Sequence, residues 1–72
     1  MTVTEQKQKE ILLYLSELLS GLYTQQAVVT GLLSRTLPGL SESEKKALED
    51  NANRNQKIAA TCDLVTMQIQ AM

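Results

Sequence analysis

The chain has 72 residues, a formal net charge of −1, one cysteine, no histidine and two tyrosines as its only aromatics. That length makes one domain at most, near the lower limit at which a single core outweighs the entropy of ordering the backbone, so support from another protein chain is expected. One cysteine excludes an internal disulfide, and the lack of histidine and of a second thiol excludes the usual zinc cluster. Dispersed, balanced charge argues against nucleic acid and membrane surfaces as partners.

The opening stretch "MTVTEQKQKE" is polar and charged, unlike a secretory signal, and a cytoplasmic location is the expectation. Thr2 and Glu5 stand at capping-box spacing and open a first helix over about 3–35. Within it, Glu17 is the only charge from Ile11 to Ser34, yet Gln25, Gln26 and several Ser and Thr make the stretch too polar for a membrane span. "LPGLS" at 37–41 breaks the helix, because Pro38 pushes Leu37 out of the α region and Gly39 supplies a free turn. Ser41 and Glu44 repeat the capping-box spacing and start a second helix over about 42–71. At ~1.5 Å per residue each helix is roughly 45 Å long.

The second helix carries a seam spaced alternately by three and four: Leu48, Asn51, Asn55, Ile58, Cys62, Val65, Ile69 and Met72. The first helix offers a matching series, Gln8, Leu12, Leu15, Leu19, Leu22, Gln26, Val29 and Leu33. If the helices fold back at Pro38 and Gly39, the two series align when opposed positions sum to 77, which sets Leu22 against Asn55, Leu19 against Ile58 and Gln26 against Asn51. The polar interruptions then share one layer, of the kind that costs stability and fixes register, so Gln26→Leu with Asn51→Leu is expected to raise thermal stability and loosen assembly.

A second stripe, one residue further along the first helix, runs through Ile11, Tyr14, Leu18, Gly21, Gln25, Val28 and Leu32, and Ala60, Leu64, Met67 and Ala71 mirror it on the second. A lone hairpin buries only one stripe per helix well. The fold expected is therefore an all-α antiparallel two-helix hairpin, one domain over 1–72, that self-associates into a four-helix bundle or larger helical oligomer, most simply as a two-fold dimer. Ile11, Tyr14, Leu18, Gly21, Val28, Leu32, Leu64 and Met67 form the candidate oligomer face. Gly21 costs about 1 kcal/mol against alanine there, and either is tolerated or lets a partner helix approach closely. In shape and size such a hairpin resembles plasmid-copy-control hairpin dimers, type III secretion co-chaperones and small phage-encoded inhibitors, without a shared motif.

Nothing in the sequence resembles a catalytic constellation. The carboxylates fall at helix starts or in i, i+4 pairs such as Glu5 with Lys9 and Asp50 with Arg54, and Cys62 lies on an apolar seam. No enzyme activity, metal or cofactor is implied. The candidate site is a polar band of Tyr23, Gln26, Asn51, Arg54, Asn55 and Lys57, in which Arg54 and Lys57 bring cationic donors, the amides bring hydrogen-bonding edges and Tyr23 a ring. Its bland reading is a register-fixing layer flanked by solvated cations. The function expected is a non-enzymatic oligomeric module binding another protein, as adaptors, co-chaperones and small inhibitors do. The alternatives are sequestration of a small anionic ligand such as a nucleotide, or an RNA-binding hairpin dimer, both using the band around 51–57.

Overall fold

A computed structural model describes residues 2–72 as two helices, α1 (Val3–Thr36) and α2 (Glu42–Gln70), folded back on one another as an antiparallel hairpin. Both helices start where their caps predict. The Thr2 hydroxyl accepts the Glu5 N–H at 3.1 Å, and at the head of α2 the Ser41 hydroxyl accepts the Glu44 N–H while the Glu44 carboxylate accepts the Ser41 N–H, each at 3.2 Å. The molecule is a rod of 57 × 14 × 11 Å. Its radius of gyration is 16.6 Å, against roughly 11 Å for a compact domain of this length.

The Ser41 hydroxyl, and after it the Ser41 N–H, holds the Glu44 carboxyl below the usual carboxylate range. Because the folded-state value is depressed, this contribution is present above the unfolded-state pKa and is lost as pH falls through the folded one. Glu44 is fully exposed, so the effect is small and screened by salt. Helix content followed by circular dichroism from about pH 6 to about pH 3 is expected to fall less steeply in Glu44→Gln than in the native chain.

Between the helices, Leu37 is extended and Gly39 has φ +78°, the left-handed region that favours glycine. A Cβ built on Gly39 meets nothing within 4 Å, so the penalty for a side chain there is purely one of backbone conformation. Gly39→Ala is expected to cost about 1 kcal/mol in a denaturant titration, and Gly39→Asn less.

The two helices meet mostly through small and polar side chains, with Leu13, Tyr23, Leu48 and Ile69 among them. On α1 a seam of buried and half-buried positions recurs at spacings of three and four, Leu13, Ser16, Ser20, Tyr23, Ala27, Thr30 and Ser34, with Lys9 ahead of it and Gly31 and Leu33 beside it also half-buried. On α2 the seam is Lys45, Leu48, Ala52, Asn55, Ala59, Cys62, Thr66 and Ile69, with Ile58 half-buried beside it. Ser16 Oγ lies 2.7 Å from Thr66 Oγ1, and the Ser20 hydroxyl donates to the Asp63 carboxylate. Lys9 Nζ donates to the Met72 carbonyl at 2.9 Å and the Gln70 carbonyl at 3.5 Å, placing a cation at the negative end of the α2 dipole.

Buried hydroxyls are tolerated here because each finds an oxygen. Thr30 Oγ1 donates back to the Gln26 or Ala27 carbonyl, and Ser34 Oγ to that of Gly31. Ser16 Oγ and Thr66 Oγ1 have two protons for three contacts, namely with the Leu13 carbonyl, with the Cys62 carbonyl and with each other. One hydroxyl therefore bonds along its own helix and the other bonds across. No buried side-chain nitrogen or oxygen among the described residues lacks a partner.

This interface corrects the sequence expectation in phase and in register. The α1 seam is displaced by one residue from the leucine series, a rotation of about 100°. On α2 the expected Leu48, Asn55, Cys62 and Ile69 do lie on the seam, whereas Ala52, Ala59 and Thr66 take the places expected for Asn51, Ile58 and Val65. Opposed pairs such as Ser16 with Thr66, Ser20 with Asp63 and Gly31 with Ala52 sum to 82 or 83 rather than 77. Six residues of register move α2 about 9 Å along the rod.

The cause of the slide lies in the connection. A sum of 77 treats residues 37–41 as a turn without length, but Leu37 and Ser41 are both extended and carry the chain past the end of α1 before α2 begins its descent. The cause of the rotation is that small side chains let the two backbones approach and their hydroxyls bond across. The leucines are left outside.

Candidate functional site

The feature so created is a broad apolar arc on the outside of α1. Leu12, Leu15, Leu19, Leu22 and Val29 are each between 44% and 53% exposed, while the serine they were expected to displace, Ser16, is 6% exposed. Since Leu13, Ser16, Ser20, Tyr23 and Thr30 face α2, the 3.6-residue period turns Leu12, Leu15, Leu19, Leu22 and Val29, each one position earlier, about 100° away toward solvent. Glu17 does not interrupt the arc, because it follows seam residue Ser16 and sits on the other edge of the helix from Leu12 and Leu19. On the same side as Leu12 and Leu19, α2 adds Val65, exposed, and Ile58, half-buried.

The area involved is large for so short a chain. The hairpin exposes 5487 Å². A compact monomer of its 8.0 kDa would expose roughly 4,500 Å². The excess of about 1,000 Å² follows from the rod shape, which leaves each helix covered on one side only. Contiguous exposed apolar surface of the kind formed by these leucines marks places where another surface docks.

All eight residues of the expected oligomer face, Ile11, Tyr14, Leu18, Gly21, Val28, Leu32, Leu64 and Met67, are exposed. They are joined there by the leucine series that was expected to be inside, so the apolar surface on α1 is wider than one stripe. A Cβ on Gly21 would meet nothing within 4 Å, which leaves that position open to the close approach of a second helix.

The polar band does not form. Asn55 is buried on the seam, and its Nδ2 donates to Asn51 Oδ1 at 2.9 Å, one turn away on the same helix. Gln26 and Asn51 are both exposed, and the register sets Gln26 near the level of Lys57, about 9 Å from that of Asn51. The two amides therefore share no layer, and the expected gain in stability from replacing them both with leucine falls with it. Tyr23 and Gln26 line a hollow of about 290 Å³ with Leu19 and Leu22. Lys57 lines a different one with Asn53, Gln56 and Ala60, and Arg54 lines neither.

The groove between the helices on the side away from the leucines is floored by Ala27, Gly31 and Ala52 and edged by Thr24, Arg35 and Gln56. It holds about 290 Å³. One exposed guanidinium over a floor of small side chains offers an anion neither burial nor a second cation. Among the described residues no three carboxylate or thiol groups gather where they would hold a metal ion, and no helix is long and apolar enough to cross a membrane.

What sequence reasoning missed is the hydroxyl seam itself. Its signal was present, since Ser16, Ser20, Ala27, Thr30 and Ser34 keep heptad spacing as strictly as the leucines beside them. No known protein family matches the chain, and neither a curated protein nor a solved structure is detectably similar to it.

Proposed function

We propose that this chain is a non-enzymatic interaction module, a helical hairpin that presents the leucine arc of α1 to an apolar helical surface of another protein chain, as adaptors, co-chaperones and small inhibitors do. The observation that carries the reading is the inversion of the hairpin, with hydroxyls and alanines between its helices and leucines outside. Leucine left at 44–53% exposure along five turns of helix forgoes about half of the roughly 1.5–3 kcal/mol that full burial of such a side chain supplies. Docking against a second apolar helix recovers it, and helix-in-groove recognition uses the same three-four spacing. Capture of a nucleotide or RNA draws no such support, because the hollow beside Tyr23 holds neither Arg54 nor Lys57, and the one beside Lys57 holds neither Tyr23 nor Arg54.

Site-specific photocross-linking in cells that make the protein separates these readings. A photoreactive residue at Leu15 or Leu22 is expected to yield covalent protein adducts, and one at Arg54 or Lys57 few. Nucleic-acid adducts at Arg54 or Lys57, with none at the leucines, would refute docking through the arc.

A further inference from the structure

We infer that the occupant of the leucine arc is a second copy of this chain, paired along α1 so that Gln26 of one copy meets Gln26 of the other. The inference rests on the docking role proposed above and names the partner. Three observations carry it.

The first is length. The half-exposed residues from Leu12 to Val29 run about 26 Å along α1, a length that the same helix of one further hairpin matches. The second is charge. From Ile11 to Ser34 the only ionised side chain is Glu17, on the far edge of the helix, so two identical arcs meet without opposing like charges. A surface shaped for a different protein gains specificity from charge complementarity, and this one has no charge to offer.

The third is the one polar residue that breaks the leucine series. Gln26 is exposed, 3.6-periodic with Leu19, Leu22, Val29 and Leu33, and makes no side-chain hydrogen bond within its own hairpin that would satisfy it in a dry interface. Around a two-fold axis a residue meets its own copy, and an isologous contact therefore demands a side chain complementary to itself. A primary amide is complementary to itself, since its NH₂ donates to the carbonyl oxygen of the other and the reverse. Carboxylates and ammonium groups are not. Placed in an otherwise apolar seam, a self-pairing amide fixes one register at some cost in stability, as a single buried asparagine does in coiled coils. Tyr23 flanks Gln26 in the hollow with Leu19 and Leu22, and that hollow receives the side chains of the second copy.

The experiment has two arms on the full chain. Sedimentation equilibrium of the native protein at micromolar concentration is expected to give about twice the 8.0 kDa of one chain. A single 8.0 kDa species up to about a hundred times that concentration would overturn the inference. In a Cys62→Ser background, Gln26→Cys is expected to form an intermolecular disulfide under mild oxidation at least about tenfold faster than Asn53→Cys, which lies on the other side of the rod. Equal rates, or faster linkage through Asn53→Cys, would overturn it. Because Gln26 and Asn53 are both exposed in the hairpin, neither change threatens its folding. A monomer whose Leu22 probe links to a protein of another mass refutes the second copy and leaves docking standing, whereas a monomer that links to no protein refutes both.

Discussion

Leu15→Glu combined with Leu22→Glu is expected to leave the hairpin helical and to abolish its docking, weakening association with its partner by at least about 100-fold. Both leucines point away from α2 and are about half exposed, at 46% and 53%, so the hairpin loses little when they are replaced. Glutamate is also a good helix former. In a docked interface the same two positions become buried, where an unpaired carboxylate costs several kcal/mol. The split between the two readouts is the test. Helix content by circular dichroism is expected to change little while association, measured by light scattering or pull-down of the captured partner, disappears. Loss of helix content together with association would place the leucines in a fold different from this hairpin.

Ala59→Leu is expected to do the opposite, damaging the hairpin from within. Ala59 is 5% exposed and lies in the stretch of the seam between Asn55 and Cys62, where small side chains hold the helices close. Three extra carbon atoms there force the helices apart and strain the cross-helix bonds of Ser16 with Thr66 and Ser20 with Asp63, at a cost of about 1–3 kcal/mol. For a chain of this length that is a large part of total stability. Denaturant unfolding at fixed protein concentration measures it, with Ala60→Leu on the exposed side as the control expected to change little. A stabilising Ala59→Leu would mean that the leucine series, not the hydroxyl series, faces α2.

That choice between two series is where the sequence stops being sufficient. The helices and their ends were legible because Thr2, Ser41, Glu44, Pro38 and Gly39 act through bonds to their own neighbours. The phase of α1 was not, because two stripes with identical spacing lie one residue apart, and hydrophobicity ranks the leucines first. Hydrophobicity measures the wish to leave water without saying where. Within the hairpin the small stripe takes the neighbouring helix, because it allows close approach, and the leucines stay at the surface. The register was hidden for a different reason. It depends on how far residues 37–41 travel along the axis, which no pairwise pattern encodes.

The fate of "NANRNQK" at 51–57 follows from both. Asn55 was placed correctly on the α2 seam, opposite Leu22 in the expected register, and Asn51, expected to face Gln26 across the hairpin, pairs instead with Asn55 on its own helix. The i, i+4 amide pair stabilises α2 locally and asks nothing of α1. Arg54 and Lys57 remain on the outside, exposed and apart from Tyr23. Gln26 is left exposed on the leucine arc, where it is the polar interruption.

If the arc obtains its cover from another copy of the chain, folding and association are one equilibrium, and the melting temperature depends on protein concentration. Thermal unfolding of the native chain across a hundredfold range of concentration measures this with no substitution at all. The melting temperature is expected to rise by about 5–10 °C over that range. A sharp, cooperative transition at one temperature throughout would contradict it, because the hairpin would then be stable alone with its leucines in water.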